Sequence, residues 1–128
     1  MPGLKILVAD DNMINQRLLV GLLKPLGHTG IVVDNGEKVL RCLSEQSFDL
    51  LLLDVQMPVM DGLQALQQIR MDEEQGLRTT RMPVIMVTAN DLPGDRERFL
   101  ERGADGYIAK PVKTEALQLE IARVLRLF

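Results

Sequence analysis

The segment Leu50-Leu51-Leu52-Leu53 is apolar at every position and stops at a carboxylate, Asp54. A strand with one wet face alternates apolar and polar residues. A strand that is apolar throughout has to be covered on both faces, as happens when helices sandwich a parallel sheet. The pattern recurs along the chain. Leu4–Ala9, Thr29–Val33, Asp49–Leu53, Val84–Val87 and Gly106–Ala109 are short apolar runs of strand length. Pro83 stands just before the fourth, where a missing N–H is tolerated.

Amphipathic stretches separate these runs. Met13–Lys24 has helical period and stops near Pro25-Leu26-Gly27. Gly36–Gln46 follows the turn residues Asp34-Asn35. Leu63, Ala65, Leu66 and Ile69 follow Asp61, a predicted N-cap. Asp95–Arg102 is a short charged helix closed by Gly103. Leu117, Ile121, Val124, Leu125 and Phe128 form one stripe on the last helix. Asp72–Arg81 is polar and reads as a loop, with Asp72-Glu73-Glu74 a solvated charge run. The prediction is an α/β fold: a doubly wound, five-stranded parallel sheet flanked by five helices, in one domain over 1–128.

Composition narrows the function classes. A net charge of −3 without a Lys/Arg cluster argues against direct nucleic-acid binding. No apolar stretch approaches the ~18 residues of a membrane span. Met1-Pro2-Gly3 runs straight into the first strand, leaving no room for a signal peptide. Cys42 is the only cysteine, which fits a reducing, cytoplasmic setting. His28 reads as a solvated loop residue with no second His or Cys near it to form a zinc site. The seven methionines read as core and loop filling.

Chemistry collects where the strands end. In an open α/β sheet, ligands bind outside the carboxyl ends of the strands. The first run ends in Asp10-Asp11, the third in Asp54, the fourth in Thr88 and the fifth in Lys110. The second ends in a plain turn, Asp34-Asn35-Gly36. Three acids on one edge repel each other unless a cation joins them. Carboxylates are hard oxygen ligands that suit Mg2+. A carboxylate can also be a nucleophile that forms an aspartyl phosphate. A lysine and a hydroxyl would stabilise the charge of a transferring phosphoryl group.

The runs Asp10-Asp11-Asn12, Asp54-Val55-Gln56-Met57-Pro58-Val59-Met60-Asp61-Gly62, Thr88-Ala89-Asn90 and Lys110-Pro111 resemble the receiver domain of two-component response regulators. The resemblance covers essentially the whole chain. It implies a flavodoxin-like strand order of 2-1-3-4-5. It implies that Asp54 accepts a phosphoryl group from a histidine kinase or phosphotransfer domain. Asp10, Asp11, Asp54 and the backbone carbonyl of Gln56 would hold Mg2+. Thr88 and Lys110 would sense the phosphoryl group, and the Lys110–Pro111 bond would be cis. Tyr107 is either a switch aromatic or a packing aromatic.

Asp11-Asn12-Met13-Ile14-Asn15-Gln16 and Gly94-Asp95-Arg96-Glu97 look like receivers of hybrid sensor histidine kinases, membrane-anchored or not. Alternatives are a stand-alone single-domain response regulator and a phosphorylation-independent interaction domain. Such a module turns over no external metabolite. Output would pass through the fourth-helix, fifth-strand and fifth-helix face, to a downstream domain or in a homodimer. Two departures from the pattern stand out. Asp91, Pro93 and Gly94 make the start of the fourth helix irregular, and Lys113 leaves Thr114 as the cap of the fifth. An aspartyl-phosphate phosphatase would need an Asp-x-Asp pair, which Asp54-Val55-Gln56 lacks. A flavin-binding domain would need a Ser/Thr/Gly-rich phosphate loop in the first βα turn.

Overall fold

All five apolar runs form strands, and all pair in parallel in the order β2-β1-β3-β4-β5. The structure, a computed structural model, describes residues 3–89 and 92–126. Met1, Pro2, Asn90, Asp91 and Phe128, all cited above, lie outside the described residues. The elements alternate as β1 (Lys5–Ala9), α1 (Met13–Leu23), β2 (Thr29–Val33), α2 (Gly36–Glu45), β3 (Leu50–Asp54), α3 (Gly62–Glu74), β4 (Val84–Thr88), α4 (Asp95–Glu101), β5 (Gly106–Ala109) and α5 (Thr114–Leu125).

Strand alternation sorts the side chains into two layers. Leu7, Ala9, Leu51, Leu53, Val84 and Met86 pack with Val39, Leu43, Leu66, Ile69 and Phe99 of α2, α3 and α4. Ile6, Val8, Leu50, Leu52, Ile85 and Val87 pack with Leu19, Leu23, Leu117 and Ile121 of α1 and α5. Leu50 to Leu53 are 0% exposed, so β3 is covered on both faces. β2 departs from that expectation. It is the sheet edge, and Val32 is 41% exposed. An apolar run cannot distinguish an edge strand from a central one.

The turn after β3 fixes where that strand stops. Gly62 begins α3 so close to β3 that a Cβ would lie 2.1 Å from the Asp54 carbonyl oxygen. The Gly62 N–H donates to Val55 at 2.8 Å, and the Gly36 N–H donates to Met60 at 2.8 Å. Asp61 caps α3 as predicted, in a capping box with Gln64. Val59 at the tip takes φ 69°, a left-handed conformation that costs a β-branched residue energy.

Three local expectations are corrected. α3 continues through Asp72 and Glu73 to Glu74, so the loop starts later than expected; Asp72 and Glu73 are half-buried and only Glu74 is exposed. The Glu73 carboxylate pairs with Arg70 at 2.9 Å and accepts the Met82 N–H at 2.8 Å. Arg70 also donates to Gly103 and to Asp105, both at 2.9 Å or less. A guanidinium so enclosed needs these acceptors, and they hold the end of α3 in place. Thr114 does not cap α5; it is the first helical residue, and Lys113 at the N-cap makes no side-chain capping bond. His28 is buried rather than solvated, and its Nδ1 accepts the Leu4 N–H at 3.1 Å.

Burial holds the His28 imidazole below its ordinary pKa, against the opposing pull of Asp49. The unfolded chain therefore binds a proton at a higher pH than the folded one. The stability from this site is fully present above about pH 6.5 and is lost as the pH falls toward the folded value. Urea unfolding at about pH 7.5 and about pH 5.5 should show the wild type losing more stability than His28→Asn. Equal losses would show that His28 titrates alike in both states.

Candidate functional site

Register brings the polar strand ends together. Ala9 pairs with Leu53, so Asp10 and Asp54 follow side by side. Asp54 pairs with Val87 and Thr88 with Ala109, so Thr88 and Lys110 each stand one residue beyond their neighbours. By alternation, Asp10 falls on the side of Val8, Asp54 on that of Leu52 and Lys110 on that of Ile108, one common face of the sheet. Carboxylate oxygens of Asp10, Asp11 and Asp54 lie within 4.8 Å of one another. Asp10 is 0% and Asp54 7% exposed, while Asp11 is open to solvent.

Lys110 is the cation of the cluster. Its Nζ lies 2.8 Å from Asp10 Oδ2 and 3.4 Å from Asp54 Oδ2. Burial opposes its charge, but the hydrogen bond to Asp10 and the Asp54 carboxylate outweigh that and hold the ammonium above its usual pKa. Asp54 shifts the other way in effect. Burial pushes its carboxyl above the ordinary range, and the charge of Asp10 adds to the push. Lys110 and the Gln56 N–H oppose the rise without cancelling it. One lysine therefore offsets three clustered acids only in part.

A cavity of about 270 Å3 opens over Asp54. Asp11, Asn12, Asn15, Gln56, Thr88 and Lys110 line it. Asp10 does not; it lies beneath, held by three contacts besides Lys110. Its Oδ1 accepts the Asn12 N–H at 2.9 Å, its carbonyl accepts from Gln16 Nε2 at 2.6 Å, and its own N–H donates to Val33 at 3.1 Å. Asn12 also caps α1, accepting the Asn15 N–H at 3.0 Å. Asn12, Asn15 and Gln16 are therefore structural parts of the site. In the sequence they belong to the runs that carry the family resemblance, but with no role of their own; the capping spacing Asn12-x-x-Asn15 is the signal that places them.

The acids suit a small divalent cation. They offer hard oxygens, an excess of negative charge and an opening to solvent, as Mg2+ sites require. The Lys110–Pro111 bond is cis, as expected. Tyr107 stands apart from the cavity. It is buried, its ring centroid is 5.6 Å from that of Phe99, and Arg96 lies 5.7 Å over its face.

Comparison with known proteins agrees with this geometry. The sequence profile of the response regulator receiver domain matches residues 6–122. Hybrid signal transduction histidine kinase K of Dictyostelium discoideum is 38% identical over 120 residues, covering 91% of this chain and 10% of that protein. The chain thus spans about a tenth of the length of that relative. The receiver domain of sensor histidine kinase PA1611 from Pseudomonas aeruginosa, solved with a magnesium ion coordinated in its active-site cleft, superposes with a TM-score of 0.83. It is 37% identical, with 97% of this chain and 98% of that one covered. The receiver domain of Ssk1 from Saccharomyces cerevisiae, solved in complex with the histidine phosphotransfer protein Ypd1, also gives a TM-score of 0.83. It is 28% identical, with 94% and 88% covered. With the profile spanning nearly all of the chain and the strand order matching, this chain belongs to the response regulator receiver domain family.

Proposed function

We propose that Asp54 accepts a phosphoryl group from the phosphohistidine of a histidine kinase or a histidine phosphotransfer protein. The observation that carries this is the position of Asp54 at the cavity, flanked by Lys110, Thr88 and two further acids. An Asp54 Oδ attacks phosphorus, the P–N bond breaks, and its electron pair leaves on the imidazole nitrogen. Asp10, Asp11, Asp54 and the Gln56 carbonyl would hold Mg2+, which when bound supplies positive charge to the phosphoryl oxygens. Lys110 turns from Asp10 toward one phosphoryl oxygen, and the Thr88 hydroxyl donates to another. Movement of Thr88 shifts the packing of Tyr107, so the face formed by α4, β5 and α5 reads the state of Asp54, through a downstream domain or a second copy. A ligand moves such an equilibrium only by its differential affinity for the two states.

The parent is a hybrid histidine kinase, in keeping with the relatives and with the small share of their length that the chain spans. The module itself turns over no external substrate. A phosphohistidine donor is charged by ATP, so the module works on the cytoplasmic side. Among the described residues no helix is long and apolar enough to cross a membrane. The donor docks on α1. Met13 is 62% and Ile14 76% exposed, beside a cavity lined by Leu18, Pro111 and Val112 that reaches Lys110. Exposed apolar side chains next to a charged pocket suit a partner that buries them while delivering its histidine.

Acetyl phosphate with Mg2+ should add one phosphoryl group that hydroxylamine removes, and Asp54→Asn should add none. Full labelling of Asp54→Asn would reject the assignment. Ile14→Asp should slow transfer from a phosphorylated histidine phosphotransfer protein by about tenfold while leaving acetyl phosphate labelling unchanged. Equal slowing of both would place the defect in the site and not in docking.

Apo stability gives an independent check. The raised pKa of Asp54 means the folded state holds its proton more tightly than the unfolded one. At neutral pH that difference destabilises the fold, and it vanishes below the ordinary carboxyl value of 3.8. In EDTA, Asp54→Asn should unfold at a higher temperature than the wild type. Mg2+ at 100 times its Kd should stabilise the wild type by about 2.7 kcal/mol and the variant by less. A variant less stable than the wild type in EDTA would refute the repulsion.

A further inference from the structure

We propose that the apolar cavity beside Asp54 is a leaving-group subsite, and that it selects phosphoryl donors whose leaving group carries a flat apolar body. The inference rests on the reading of Asp54 as the phosphoryl acceptor and adds the class of donor that the site prefers. Two cavities meet at the carboxyl edge of the sheet, each of about 270 Å3. One holds Asp54 and is lined mainly by polar groups. The other is walled by Leu18 and Leu19 of α1 and by Pro111 and Val112 ahead of α5. Asn15, Ala89 and Lys110 line both, so the two adjoin at those three residues.

The direction of the reaction decides what enters the second cavity. Attacking and leaving atoms lie in line on opposite sides of phosphorus. Asp54 attacks from the end of β3, where it is 7% exposed, so the leaving group departs toward the mouth. Asp11, Asn12 and Gln56 stand on the phosphoryl side of that mouth, and all are charged or polar. An apolar body is disfavoured there. Against Leu18 and Val112 it is favoured, because contact with them removes apolar surface from water. The space suffices, since an apolar cavity of about 150 Å3 accommodates benzene. Asn15 marks the boundary between the two cavities. Its backbone N–H is bonded to Asn12, but its side-chain amide makes no hydrogen bond among the described residues. That amide is available to donate to the oxygen or nitrogen on which the electron pair leaves. The imidazole of a phosphohistidine and the benzoate of benzoyl phosphate both have the flat apolar body; the acetate of acetyl phosphate has only a methyl group.

The test compares benzoyl phosphate with acetyl phosphate, in Mg2+, by the intact mass of the full chain. In each case an Asp54 Oδ attacks phosphorus and the bond from phosphorus to the acyl oxygen breaks. The electron pair leaves on that oxygen as benzoate or acetate, and no proton is transferred. Benzoyl phosphate should label Asp54 with a second-order rate constant about tenfold higher. The intrinsic reactivity of each donor is the same for every variant, so a change in the ratio of the two rate constants reports the cavity alone. Leu18 is 44% exposed, so replacing it spares the core. Leu18→Gln should lower the ratio about fourfold, the worth of roughly one buried methylene, with an unchanged unfolding temperature showing that the fold is intact. Val112→Thr, which keeps the shape but places a hydroxyl in the wall, serves as a second variant should Leu18→Gln unfold, and should also lower the ratio. Equal rate constants for the two donors, or an undiminished ratio in a folded variant, would overturn the subsite and leave the acceptor reading standing. No labelling by either donor would reject the acceptor reading and the subsite together.

Discussion

The parallel pairing of β1 with β3 is the constraint on which the rest depends. Both strands are buried on both faces, and each fully buried aliphatic side chain contributes about 1.5–3 kcal/mol. Leu50 to Leu53 alone therefore outweigh the cost of holding one shielded carboxylate at the strand end. The register that satisfies the backbone also sets Asp10 beside Asp54. Neither acid can move away without breaking the ladder. Repulsion between them is thus a by-product of the hydrophobic core, and Lys110 is the local response to it. The lysine sits nearer Asp10 than Asp54, which leaves the exposed side of Asp54 open for chemistry.

The two edges of the sheet are built differently. At the amino edge, Arg70 pairs with Glu73 within α3 and ties that helix to Asp105, and Arg81 adds a second bond to Asp105 at 3.0 Å. Nearby, the Glu120 carboxylate accepts the Tyr107 N–H at 2.7 Å and pairs with Arg123 and, at 3.3 Å, with Arg96. These contacts join α3, β5, α4 and α5 by charge-assisted bonds that are paired on both sides. Positive and negative groups there balance closely. At the carboxyl edge they do not, and the excess of negative charge there is what a cation can use. A site that is electrostatically unfinished in the free chain is one that ligands can shift.

Much of this was legible in the residues because it follows from period. Continuous apolar runs gave the strands and helical spacing gave most of the helices. Strand ends gave Asp10, Asp11, Asp54, Thr88 and Lys110, because a β-strand carries its side chain to a defined edge. What escaped depends on contacts distant in sequence. The length of α3 rests on Arg70 meeting Asp105, 35 residues away. His28 is buried because Leu4, 24 residues earlier, needs an acceptor. Val32 is exposed because β2 happens to be last in the sheet. Local pattern carries no information on any of these. Strand order itself came from family resemblance, since five parallel strands can be wound in other orders with the same pattern.

Tyr107 joins three elements through its ring and its backbone. Its ring contacts Phe99 of α4, its backbone N–H is held by Glu120 of α5, and its carbonyl accepts from Arg96 of α4 at 3.3 Å. One residue of β5 is therefore bonded to both α4 and α5. Its neighbours along the strand lead directly to Ala109 and Lys110, and Ala109 pairs with Thr88. Thr88 and Lys110 are therefore connected to Tyr107 within one strand, through paired backbone. The Arg96–Glu120 pair links α4 to α5 at 3.3 Å. Arg96 is 44% exposed in its side chain, so water screens the pair. The face formed by α4, β5 and α5 is thus held by a solvated ion pair over a buried aromatic contact.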